Sequence, residues 1–281
     1  MRMVSRKNKD RFARGLSLAV TVLAIAPLLW IIGSVIINGV SAIDLEFLMS
    51  IPAPYGESGG GIANAIFGTL IINAMASMFG IPVGILTGMY LSEYATRGKL
   101  SSAIRASVES FSGVPSIIFG IFAFTLIVTN VRHYTALAAA FALGIMMIPI
   151  VAKATEESMR VVSDDVREAA IALGMPKWVR TVKIVLGVAR GGVITGSLLA
   201  FARISGETAP LLFTALFSFY WPTGIDQPMA TLQVLIYNFA LSGYQDRVMQ
   251  AWGASLLLVI LVVAINIVVK IVTRQKYKEG I

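Results

Sequence analysis

The chain contains no cysteine in 281 residues. That excludes disulfides, thiolate metal sites and cysteine nucleophiles. It has one histidine, His133, beside Arg132 in a short polar stretch. A histidine metal cluster is therefore impossible, and His133 reads as solvated surface. No G-x-x-x-x-G-K-[ST] stretch occurs, so ATP is not bound through a phosphate loop. No dense group of carboxylates and histidines suggests hydrolysis. Charge itself is scarce. Asp, Glu, Lys and Arg make up 14% of residues, where a soluble domain carries about 25%.

What remains is apolar. Hydrophobic residues reach 57%, which marks an all-α, polytopic membrane protein. Six runs are long enough to span a bilayer: 16–40, 63–90, 106–128, 135–154, 187–212 and 252–272. A shorter run, 229–241, reads as a re-entrant or interfacial helix. The first run follows a basic tail, as a signal peptide would. Its 25 residues exceed an h-region of about 7–15, so a retained span is expected.

The 23 Lys and Arg outnumber the 15 Asp and Glu. Their placement explains the excess. Twenty of the 23 fall in the amino tail, in the loops after runs two and four with their flanking helix ends, and at the carboxyl end. Arg132 and Arg247 alone fall on the other side, and Arg203 lies inside a run. The positive-inside rule then puts both termini in the cytoplasm. Topology accounts for the charge, and no nucleic-acid partner is expected.

Small residues recur at helical spacing. Gly80, Gly84 and Gly88 lie four apart around Pro82, and Gly192 and Gly196 repeat the pattern. Such stripes let helix backbones approach closely in lipid. Pro115, Pro149 and Pro210 remove backbone donors within runs three, four and five. Asn73, Ser77, Thr195 and Asn266 are polar residues in apolar runs, suited to hydrogen bonds between helices. Glu109, early in run three, reads as buried and paired with a base or capping a helix.

Two constellations carry chemistry. The first is the charged loop 155–187. Residues 155–173 have helical character, and Ala169 and Ala170 offer a smooth face. Gly174 suits a left-handed helix stop, and Pro176 suits the first turn of a new helix. Trp178, Val179, Val182 and Ile184 form an apolar stripe, with Lys177, Arg180 and Lys183 facing away. The loop is either a helical knob for a partner or an amphipathic pair lying on anionic lipid. The second constellation is Arg203 and Glu207, four apart and able to pair on one helix face. Gly206, Thr208 and Pro210 lie beside them, and Gly206 and Pro210 make the helix locally breakable there. The pair is either a structural bridge or the lining of a transport path, where Arg203 meets an anion.

The order Glu168-Ala169-Ala170, Gly174, Ile184, Leu186 resembles the EAA loop of ABC importer permeases. The family pattern ends Leu-Pro, where this chain has Gly187. The run 206–214, GETAPLLFT, closely resembles a signature of the PstA family. The stretches 52–70, 112–124 and the PMATLQVLIYNFA run agree with that family. This resemblance implies a type I ABC importer (MetI-like) permease fold with six spans. It implies a peripheral first helix (1–14 tail, 15–62 helix and external loop), a 63–273 core and a 274–281 tail. It further implies a PstC-like second permease, two PstB-like ATP-binding subunits that use ATP and Mg, and a PstS-like external phosphate-binding protein. The residues 168–186 would dock on the ATP-binding subunit, with no cofactor held by this chain and inorganic phosphate as the transported ion. Expected alternatives are another oxyanion, molybdate or sulfate, or an ATP-independent channel or anchor.

Overall fold

Inside a bilayer no water is present to satisfy the backbone, so each apolar run closes its own hydrogen bonds as helix. A computed structural model of the chain describes residues 2–54, 56–57, 59–95 and 98–278. Tyr55 and Ser58 of the 52–70 stretch, Arg97, and residues 279–281 of the tail lie outside the described residues. So do the side chains of Arg2, Arg6, Lys7, Arg274, Lys276 and Lys278.

The helices are α1 (Arg2–Val40), α2 (Leu45–Met49) and α3 (Ala63–Met89), which runs on through a π-helical turn, Tyr90–Tyr94. Next come α4 (Lys99–Gly113), α5 (Ser116–Val131) and α6 (Ala136–Arg160). Then follow α7 (Asp164–Ala172), α8 (Lys177–Ile204), α9 (Ala209–Thr214), α10 (Leu232–Ala240) and α11 (Gln245–Lys278). Among the described residues, extended pairing is limited to one bridge, Pro52 with Gly60.

Helix α6 is the hub. The glycine stripe of α3 lies flat against it. A Cβ on Gly80 would stand 2.8 Å from the Gly144 carbonyl, and one on Gly84 would stand 2.6 Å from the Val151 Cβ. Gly88 abuts Ala152 and Thr155. Residue numbers rise together on the two sides, so α3 and α6 run parallel. On another face, Gly192 abuts Ser158 and Gly196 abuts Ala154, so α8 runs antiparallel to α6. Both sequence stripes are thus close helix contacts. Ile72, Ala76, Leu143, Met147, Ala200 and Ile204 fill the centre. Helix α1 is peripheral. None of its most apolar stretch is buried, and it meets α11 where Gly39 touches Trp252 and Leu256.

Three expectations need correction. The run 106–128 is not one straight helix. It is α4 and α5, bent by 106°. Val114 is extended (φ −74°, ψ 131°) because the residue before a proline avoids the helical region, and Pro115 then starts α5. The run 187–212 is not one helix either. α8 begins at Lys177 and stops at Ile204, and α9 follows after a break. Pro210 lies in the first turn of α9, where no donor is missed, rather than inside a longer helix. Glu109 is exposed rather than buried.

The short run near 229–241 forms α10, packed inside the bundle. Leu232, Val234, Leu235 and Phe239 are buried, and the Leu232 amide donates to Thr69 Oγ1 of α3 at 2.9 Å. It packs against α3 and α11.

Candidate translocation break and coupling hairpin

The break after α8 lies beside the core. Asn73 Nδ2 donates to Ser205 Oγ at 3.0 Å. Gln233 of α10 donates through Nε2 to the Ser205 carbonyl. Asn73 stands about 15 Å along α3 from Ala63, at roughly 1.5 Å per residue. The break is therefore gripped from two neighbouring helices, well below the helix ends. Gln233 Oε1 is buried without a partner among the described residues. Of the polar residues noted in the sequence, Asn73 does bridge two helices. Ser77 bonds the Asn73 carbonyl of its own helix and also reaches Met147 Sδ of α6 at 3.8 Å, while Thr195 and Asn266 each donate to a carbonyl of their own helix.

Arg203 occupies the last turn of α8, where a cation complements the helix dipole. Glu207 is not on the same helix face. It lies past the helix end, in a turn closed by Gly206 N–H to Arg203 O and Glu207 N–H to Ile204 O, both 3.1 Å. The ion pair survives loosely, with Arg203 Nε 3.8 Å from Glu207 Oε1. The Arg203 side chain is 57% exposed and that of Glu207 19%. A cation in an apolar span is thus turned to the outer surface of the chain. Gly206 is exposed beside it. The Thr208 carbonyl accepts the Leu211 and Leu212 amides and so starts α9. Pro210 is buried, and a Cβ on Gly120 of α5 would stand 2.6 Å from its Cα.

Residues 155–160 continue α6, and beyond them α7 and the start of α8 form a helical hairpin. Gly174 has φ +71°, and the Met175 amide returns to the Ala170 carbonyl at 3.2 Å. This is a helix stop that favours glycine. The chain re-enters the bundle with no gap, because α8 starts at Lys177. Ala170 is buried, whereas Glu168 and Ala169 are exposed. Ile184 and Leu186 are half-buried.

The apolar stripe does not face inward as a unit. Trp178 and Val182 are exposed, while Thr181 and Val185 are buried. Residues Arg180–Val185 form a π-helical stretch, whose wider turn displaces a 3.6-residue pattern. Val185, Ala189 and Val193 hold the inner face against Met89, Met159 and Val162. Ile171, Leu173, Trp178 and Val182 are left as an uncovered apolar patch on the hairpin.

The sequence reading missed the ties at the hairpin's base. Arg167 of α7 bonds Glu93, with Nη2 at 2.9 Å and Nε at 3.2 Å from the same Oε1. Arg167 also donates to the Met159 carbonyl at 2.8 Å and to the Val162 carbonyl. The Lys177 ammonium lies 4.6 Å from the centre of the Tyr94 ring. Glu156 of α6 accepts from Arg105 of α4 and pairs with Arg160 at 2.7 Å. A single sequence shows these charges but not which distant partners they meet. The one available signal is that Glu93 and Glu156 close apolar helices where water is scarce.

Known proteins place this arrangement. Over 271 residues, 96% of this chain and 92% of the other, it is 37% identical to the phosphate transport system permease protein PstA of Yersinia pestis. It is 39% identical over 274 residues to PstA of Pasteurella multocida, covering 97% of both chains. The chain belongs to the PstA family. Residues 80–275 of this PstA-family chain also match the binding-protein-dependent transport system inner membrane component family. Among solved structures, a bacterial alginate ABC transporter shares its fold with a TM-score of 0.71 at 15% identity, over 98% of this chain and 99% of that one. The MetNI methionine ABC transporter, in inward-facing form, matches with a TM-score of 0.63 at 21% identity, over 76% and 95%. The MetI-like permease fold is thereby established for this PstA-family member, a multi-pass membrane component.

Proposed function

We propose that this chain is the permease subunit of an ATP-driven importer of inorganic phosphate in the cell membrane. The observation that carries this reading is the 37–39% identity to PstA permeases along nearly the whole chain. The uncovered apolar hairpin supports it, because a patch of Ile171, Leu173, Trp178 and Val182 at the basic end suits a protein partner. That partner is a PstB-like ATP-binding subunit, where ATP and Mg are used. Glu168, Ala169, Gly174, Ile184 and Leu186 shape the docking element, with Ala170 packing it to the bundle. A PstC-like permease completes the path, and a PstS-like protein delivers phosphate from outside. Both termini and the hairpin face the cytoplasm. Arg203 meets the passing anion, and Glu207 competes for its guanidinium.

The test is reconstitution of the complete complex in proteoliposomes loaded with ATP and Mg. The expected result is ATP-dependent uptake of radiolabelled phosphate that needs the external binding protein and resists excess sulfate or molybdate. Uptake of sulfate or molybdate in preference to phosphate would overturn the substrate. Phosphate flux without ATP hydrolysis would overturn the coupling.

A further inference from the structure

The hairpin has two arms, and both are fastened to the same short segment. Arg167, on the first arm, holds Glu93 through two N–H groups. Lys177, at the start of the second arm, lies over the ring of Tyr94. Glu93 and Tyr94 are adjacent and end the π-helical turn that finishes α3. The Glu93 carboxylate is 5% exposed and Arg167 19%, so the tie is largely shielded from water and salt. The remaining Arg167 donors meet the Met159 carbonyl in the last turn of α6, the Val162 carbonyl just past it, and Asp164 Oδ1 at 3.4 Å. One guanidinium thus joins the hairpin to α3 and α6 together. Those two helices are locked by the Gly80, Gly84 and Gly88 stripe, and α3 carries Asn73, which grips the break at Ser205.

We infer that Glu93 and Arg167 are positioning residues that transmit hairpin movement through α3 to the Ser205 break. This rests on the permease function proposed above. Force applied at the hairpin has two routes to Arg203. One is along α8, which contains the π-helical stretch Arg180–Val185. The other is along α3, through the Glu93 clamp. The end of α3 is π-helical too, but there the Glu93–Arg167 and Lys177–Tyr94 contacts tie both arms, and Arg167 the α6 end, at once. The clamp stays closed through the transport cycle, so the hairpin and the α3 end move as one body.

The experiment uses the whole complex in proteoliposomes, reading phosphate taken up per ATP hydrolysed. Glu93→Gln and Arg167→Gln should each lower that ratio roughly tenfold, with the ATP-binding subunit still co-purifying. The charge swap, Glu93→Arg with Arg167→Glu, should recover part of the loss. Because the chain has no cysteine, Glu93→Cys with Arg167→Cys supplies the only two thiols. A short bis-maleimide linking them should raise uptake per ATP above that of the unlinked pair. A normal ratio in both Gln variants would overturn the inference. So would a linked pair that blocks uptake, since the residues must then separate. If the Gln variants fail to assemble, the linked pair decides. A wild-type complex without ATP-driven phosphate uptake would instead sink the proposed function itself.

Discussion

At Arg203 a cation sits where insertion into lipid costs about 2.5–3.5 kcal/mol at a span's centre. Its intramolecular partner, Glu207, stands 3.8 Å away, and the Arg203 side chain is more than half exposed. A bridge built for stability would be closer and better enclosed. The geometry suits a cation that a second partner also approaches. Arg203→Gln should cut phosphate uptake at least about tenfold, equal to roughly 1.4 kcal/mol of lost interaction in the limiting step. Co-purification with the other subunits should persist. The swap Arg203→Glu with Glu207→Arg should rescue little, because the charge then leaves the last turn of α8 for the turn beyond. Uptake restored by the swap would make the pair a structural bridge. Spacing made this pair legible, and Gly206 with Pro210 marked the helix as breakable beside it, but the distant side chains that grip the break were hidden. The break is held by Asn73 and Gln233, both far away in sequence.

Among the elements, the glycine stripes were readable because lipid-facing helices associate through close packing, and glycine at four-residue spacing has few other uses in a span. Gly84 and Gly33 test this. Gly84→Leu meets Val151 at once, as a Cβ would stand 2.6 Å from the Val151 Cβ. Overpacking of this kind costs about 1–3 kcal/mol, so the detergent-solubilised complex should melt at a lower temperature. Gly33→Ala in α1 has open space around it and should leave melting unchanged. The hairpin was equally readable at Gly174, whose φ of +71° strains any β-branched residue. Gly174→Val should leave the chain in the membrane but reduce recovery of the ATP-binding subunit. The stripe of Trp178, Val179, Val182 and Ile184 was legible, but the π-helical stretch that divides it between exposed and half-buried positions gives no sign in one sequence.

For the molecule as a whole, the count of crossings decides which side each end occupies. Five helices are long and apolar enough to cross, and the bent pair α4–α5 adds a sixth if it crosses once. The packing of α3 on α6 resolves this. They run parallel, so the chain leaves α3 at one end and enters α6 at the other. The Arg105–Glu156 tie holds α4 near the end of α6, while Thr135, just before α6, donates from its amide to the Thr214 carbonyl at the opposite end. The pair α4–α5 must therefore traverse the bundle. Six crossings return the chain to its starting side. We expect that side to be the cytoplasm, because 20 of the 23 basic residues fall there. Cysteine labelling in intact cells tests this directly, as the native chain adds no background thiol. Ser242→Cys, in the turn between α10 and α11, should react with a membrane-impermeant maleimide added outside. Leu173→Cys, exposed on the hairpin, should react only after the membrane is opened. Labelling of Leu173→Cys in sealed cells would put the hairpin outside, beyond reach of any cytoplasmic ATP-binding subunit, and the coupling role assigned to it would fall.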